Sequence, residues 1–231
     1  MELSKRLKAA IMLVDRGANV ADIGTDHGYV PIYLKKNNIA HKVIAMDVRS
    51  GPLSHARENT LKFGLEGKID LRLSDGLEKL VPYEVDTVII GGMGGDLVLK
   101  ILTDYKEVTR SIQTFILQPQ SEIKRVRKFL SDHHFVIVKE DMVFEDGKYY
   151  PLIKAIPSAD KVTYQEEEYK YGPCLLKEKH EVLYQFLVRE KRVRGEILDS
   201  LKNSNRSESK IRASQVEKEK ELIIKAMDYY Q

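Results

Sequence analysis

Five short apolar runs, rich in β-branched residues, follow one another through the first half of the chain, and each stops on Gly, Asp or Gln-Pro-Gln. They are NVADIG (19–24), HKVIAMD (41–47), KIDLRLSD (68–75), VDTVIIGG (85–92) and TFILQPQ (114–120). Runs of that length and composition, closed by turn residues, predict strands. Helical patterning lies between them, at 31–36, 52–63, 97–102 and 121–131. Pro31 and Pro52 suit a first helical turn, where a missing N–H costs nothing. Two further runs within 134–157 meet at Asp146-Gly147, a pair that favours a hairpin turn. Strands alternating with helices build a parallel sheet covered on both faces, and the hairpin adds one antiparallel pair at its end. The expected fold class is α/β with a mostly parallel sheet.

The rhythm changes near residues 157–160, where TYQEEEYKYGP is polar and turn-rich. Beyond it, 175–202 and 209–230 read as long helices. The first carries Leu183, Phe186, Leu187, Val193, Ile197 and Leu201 at helical spacing; the second carries Val216, Ile223, Met227 and Tyr230. Residues 203–207 form a polar connector. Two striped helices with a short link predict an antiparallel hairpin, the alternative being stripes that merely pack on the main domain. The expected division is 1–159 and 160–231. With 231 residues, 42% of them hydrophobic, the chain can bury one substantial core and a smaller appendage. The start, MELSKRLKAAIMLVDRG, predicts an amphipathic helix whose apolar run breaks at Asp15 and Arg16, short of a signal sequence or membrane span. A single cysteine, Cys174, rules out an intrachain disulfide and suits a reducing compartment. A soluble, cytoplasmic monomer is the expectation.

Candidate chemistry collects at the carboxyl ends of the strands, where an open α/β sheet binds ligands. Asp22, Gly24, Asp26, His27 and Gly28 follow the first strand, Asp47 closes the second, and Asp75 and Gly76 close the third. Asp47 lies 23 positions after Gly24, the spacing at which a carboxylate accepts from the ribose hydroxyls of a nucleoside cofactor. Asp75-Gly76 can approach an adenine. A dinucleotide turn offers G-x-G-x-x-G because pyrophosphate needs bare N–H groups; here the pattern is D-x-G-x-D-x-G. A carboxylate at residue 26 would repel pyrophosphate and suit the ammonium and sulfonium of S-adenosylmethionine, with roughly 4 kcal/mol at ~4 Å and an effective dielectric near 20. The lesser alternative, which does not exclude the first, is that Asp26 caps the helix that begins near Pro31. His27 could orient a ligand or serve the turn. The GGMGG run, 91–95, leaves backbone uncovered, so a flat base could lie on Gly91 and Gly92 with Met93 in the pocket wall; a tight steric turn is the alternative. Metal is not expected, since the six histidines form no H-E-x-x-H pattern. An NAD-binding oxidoreductase is compatible with Asp47 but not with Asp26.

LSKRL (3–7), ADIGTDHGYVP (21–31), SDGLE (74–78), GGMGG (91–95), LQPQ (117–120), DGKYYP (146–151) and YGP (171–173) occur together in this order. In this combination the chain resembles, over essentially its whole length, the bacterial tRNA adenine N1-methyltransferases that modify adenine 22. The resemblance implies a class I methyltransferase, Rossmann-like, with a C-terminal coiled-coil-like helical hairpin, S-adenosylmethionine as cofactor and folded tRNA as substrate. It implies cofactor contacts at Gly24, Asp26, His27, Asp47, Asp75 and Gly76, and a role in closure or RNA contact for Lys5 and Arg6. Gly28 stands where some relatives carry alanine, a change expected to be harmless, and Gln120 stands where others have the asparagine of QPN. RNA would meet Lys124, Arg125 and Arg127 of KRVRK, and Arg189 and Arg192 on the first tail helix. Charge alone would not select RNA: 38 basic residues face 35 acidic ones overall, and 15 face 14 within 160–231. A non-catalytic RNA-binding protein on the same fold is the remaining alternative.

Overall fold

The computed structural model describes residues 3–202 and 207–231, and these fall into two compact units, 1–162 and 163–231. In the first unit, strands β1 (Ala18–Ile23), β2 (Ala40–Asp47), β3 (Asp70–Leu73), β4 (Thr87–Met93) and β5 (Thr114–Pro119) run parallel. β6 (Phe135–Glu145) and β7 (Lys148–Pro157) complete a seven-stranded sheet of order β3-β2-β1-β4-β5-β7-β6. The expected hairpin is there, with Asp146 and Gly147 both at positive φ. Its second strand inserts beside β5, so β7 is antiparallel to both β5 and β6, giving two antiparallel pairings where the sequence predicts one. β1 and β5 are buried almost throughout, as are Val43–Asp47 of β2 and Thr87–Ile90 of β4, as strands covered on both faces must be.

Helices α1 (Lys5–Met12), α2 (Tyr29–Lys36), α3 (Ser50–Lys62), α4 (Gly95–Asp104), α5 (Lys106–Ser111) and α6 (Ile123–Asp132) surround the sheet. Pro31 and Pro52 do sit in first turns. Asp26 does not cap α2: the N-cap is Gly28, in the left-handed region at φ 68. α1 is fastened at both ends. Glu145 Oε1 accepts from the Lys5 N–H at 2.6 Å, a carboxylate at the positive end of the helix dipole. Just past the other end, Asp15 accepts from Lys154 Nζ at 2.7 Å.

The second unit holds α7 (Glu166–Tyr171), α8 (Pro173–Lys177), α9 (Glu181–Lys202) and α10 (Ser207–Asp228). The segment expected to be turn-rich contains α7, started by a capping box between Gln165 and Glu168. The single helix expected over 175–202 is divided, with Lys179 at φ 52 in the break. Leu183 and Leu187 of α9 and Val216, Ile223 and Ala226 of α10 are buried, and Arg194 of α9 pairs with Glu219 of α10 at 2.5 Å. The connector expected at 203–207 lies, up to residue 206, outside the described residues. Among the described residues no helix is long and apolar enough to cross a membrane.

Candidate active site

A cavity of about 770 Å³ opens at the carboxyl ends of the parallel strands and spans from β3 to β5, across the point between β1 and β4 where strand order reverses. Its wall includes Asp22, Gly24, Asp26, His27, Asp47, Asp75, Gly76, Gly91, Gly92 and Met93, so ten residues singled out in the sequence converge on one space. Arg6 joins them from α1. The main chain locks the strand ends together: Gly24 and Thr25 donate to Met46 O at 2.8 and 2.9 Å, Ser74 N to Asp47 O at 2.9 Å, and Gln120 N to Met93 O at 2.8 Å.

Charge in the cavity is distributed differently from the sequence expectation. The side chain of Asp26 is 77% exposed and lies 3.3 Å from His27 Nε2. Water screens such a group, leaving about 1 kcal/mol at ~4 Å. Asp22 and Asp47 are the buried carboxylates. Burial pushes Asp22 up to about 6; the nearby Thr25 hydroxyl opposes the shift, and the charge of Asp47 adds to it. Asp47 Oδ1 accepts from the Arg49 N–H at 2.8 Å, which fixes the carboxylate at the strand end.

The glycine run divides in two. Gly91 and Gly92 face the cavity, and a Cβ on Gly91 would meet nothing closer than Gln118 Cβ at 3.8 Å. Gly95 has no such room: a Cβ there would lie 2.4 Å from Ser121 O and 2.9 Å from Glu122 Cβ. The run thus combines open backbone at Gly91 with tight packing at Gly95. Met93 lines the cavity, and its terminal methyl rests where a Cβ of Gly24 would be, 2.2 Å away.

Several expectations need correction. Gly28 is not on the cavity wall; it brings α2 against α3, with a Cβ position 3.0 Å from Ala56 Cβ. At φ 68 an alanine there is strained as well as crowded, so that exchange is not harmless. Arg127 cannot meet RNA: its side chain is 1% exposed and its Nε donates to Glu140 Oε1 of β6 at 2.8 Å. Lys124 and Arg125 are exposed on α6, Arg125 pairing with Asp96 at 2.5 Å, and Arg189 and Arg192 are exposed on α9. Lys5 is exposed away from the wall, whereas Arg6 reaches Gly92, with Nη1 3.9 Å from a Cβ there, and lies over the Tyr150 ring. The sequence placed Gln118 at the end of the fifth strand without giving it a role, and it did not single out Tyr29, Val48, Arg49 or Leu97; all five line the cavity. His27 lines the cavity and stacks on His55 at 4.9 Å and on Tyr29 at 5.5 Å. No cluster suited to a metal ion occurs among the described residues.

Residues 3–153 match the family described as Methyltransferase domain. The chain is 34% identical to the tRNA (adenine(22)-N(1))-methyltransferase of Bacillus subtilis over 186 residues, 79% of this chain and 78% of that one. The chain belongs to the tRNA (adenine(22)-N(1))-methyltransferase family. Solved structures of similar proteins agree with this along its length. A structure from Streptococcus pneumoniae, of a putative tRNA (m1A22) methyltransferase in complex with S-adenosyl-L-methionine, covers 98% of this chain and 100% of its own at 29% identity and a TM-score of 0.86. M. capricolum TrmK in complex with S-adenosyl-homocysteine covers 100% of both chains at 30% identity and a TM-score of 0.84. The methyltransferase family thus accounts for the helical unit as well as the sheet.

Proposed function

We propose that this chain transfers the methyl group of S-adenosylmethionine to N1 of an adenine in tRNA, at position 22 as in the named relative. The observation that carries the reading is the pair of buried carboxylates, Asp22 and Asp47, on a cavity that continues onto the bare backbone of Gly91 and Gly92. Buried negative charge suits a cationic donor and opposes the pyrophosphate of a dinucleotide. Asp47 would take the ribose hydroxyls, with Asp75 and Gly76 toward the adenine of the cofactor. Asp22 and Asp26, beside Gly24 and His27, would face its amino-acid end.

When bound, S-adenosylmethionine supplies an electrophilic methyl group. Adenine N1 already carries an in-plane lone pair, so the chain's work is alignment and charge handling, without an obligatory base. Gly91 and Gly92 would form the floor on which the target base lies, Met93 a wall beside it. As N1 gains charge, the acceptors around N6, backbone oxygens of Gly91 and Gly92 and the Asp26 carboxylate, would stabilise it. Exposing a stacked adenine costs a few kcal/mol, which tRNA contacts elsewhere must offset. We assign those contacts to Lys5, Arg6, Lys124, Arg125, Arg189 and Arg192. In this reading 1–159 is the methyltransferase domain, 160–231 a helical tRNA-contacting domain, and the protein a cytoplasmic monomer.

The test is transfer of labelled methyl from S-adenosylmethionine to unmodified tRNA, with the modified nucleotide mapped. Asp47→Ala should lower cofactor affinity by at least tenfold, on the order of one or two lost charge-assisted hydrogen bonds. Stabilisation by NAD with none by S-adenosylhomocysteine would refute the proposal.

A further inference from the structure

Gln118, the penultimate residue of β5, is 3% exposed and lines the cavity next to Gly91. Its Oε1 accepts from the Gly92 N–H at 3.0 Å, which fixes which branch of the amide is oxygen. The other branch, Nε2, is buried and has no hydrogen-bond partner among the described residues. A buried donor left unmet is costly, and native proteins keep few of them. The space above Gly91 borders this amide, since a Cβ there would lie 3.8 Å from Gln118 Cβ and 4.0 Å from its Oε1.

We infer that Gln118 is a specificity-determining residue that reads the N7 edge of the target adenine; the inference rests on the methyl-transfer reading above. The sheet order places the two halves of the reaction. With the nucleoside over β2 and β3 and the reacting end over β1, the acceptor base lies over β4 and β5, beside Gln118. For N1 to be methylated, the Watson–Crick edge must face the methyl group. Recognition is then left to other edges of the ring, and N7 and N6 form an acceptor–donor pair that a glutamine amide matches. Nε2 donates to N7. Oε1 keeps a second lone pair for N6–H, beside the one engaged by Gly92. That second bond strengthens as the base becomes cationic, so the residue acts on kcat as well as KM.

The experiment compares tRNA carrying adenosine or 7-deazaadenosine at position 22, with wild-type protein and with Gln118→Met. Removing N7 also makes N1 more basic, so the quantity read is the ratio of kcat/KM for the two tRNAs. The deaza penalty should be about tenfold larger in wild type than in Gln118→Met, the size of one lost hydrogen bond. Penalties equal within twofold overturn the assignment. If Gln118→Met fails to bind S-adenosylhomocysteine, wild-type affinity decides: in the presence of S-adenosylhomocysteine the deaza tRNA should bind at least threefold more weakly, and equal affinity overturns the assignment. Wild type that methylates adenosine tRNA with no N7 coupling sinks only the role of Gln118. Wild type that methylates neither sinks the methyl-transfer reading and this inference with it.

Discussion

Asp22 and Asp26 sit on the same turn and experience opposite surroundings. Asp22 is buried and titrates at about 6, while Asp26 is 77% exposed in its side chain. Burial raises the Asp22 carboxyl in the folded chain above its ordinary 3.8, so its contribution to stability is greatest below pH 3.8 and declines as pH rises toward 6. A bound cation reverses the preference and favours the ionised form. Asp22→Asn should therefore raise the melting temperature at pH 7.5 while weakening S-adenosylmethionine binding, two shifts of opposite sign read by calorimetry. Wild-type affinity should fall as pH drops below 6, with protons released on binding, and the variant should lose that dependence. Asp26→Asn should change affinity by less than about fivefold, as screened charge at ~4 Å implies. The sequence put the electrostatic weight on Asp26, whereas the buried carboxylate of the turn is Asp22. Ranking depends on burial, set for Asp22 by β2 and β4 on either side of it.

At the level of elements, strand ends and helix starts were legible because local chemistry sets them. Asp-Gly makes the hairpin turn, and apolar runs closed by glycine or aspartate make parallel strands. What was not legible depends on distant partners. KRVRK looks like a basic patch, but Val126 and Leu130 face the core and carry Arg127 with them, toward a Glu140 on another element. A pair buried to this degree breaks hard when one partner is removed: Glu140→Ala should destabilise by about 3–5 kcal/mol in denaturant titration. The GGMGG run makes a second test. Gly95→Ala should destabilise by about 1–3 kcal/mol through overpacking against Ser121 and Glu122. Gly91→Ala has room for its methyl group, so it should leave stability within about 0.5 kcal/mol and lower methyl transfer by crowding the base floor.

For the whole molecule, alternation of strands and helices foretold a parallel sheet, whereas the insertion of β7 between β5 and β6 had no local signal. Among the described residues, those that line the cavity fall between 3 and 120, inside the first compact unit. A fragment ending at residue 162 should therefore bind S-adenosylhomocysteine within about threefold of the full chain in isothermal titration, since its contacts are intact. Its transfer of methyl groups to tRNA should collapse, because the helical unit is where Arg189 and Arg192 stand. Binding lost together with transfer would show that the pocket needs the second unit.

The placement of β7 also sets a timetable for synthesis. β5 pairs on one side with β4 and on the other with residues 153–155. Until those residues leave the ribosome, the strand that ends in Gln118 has an open edge, and open edges recruit other chains. The floor of the pocket is thus among the last parts of the sheet to be sealed during translation, and a nascent chain stalled before residue 150 would emerge adhesive at its own active site.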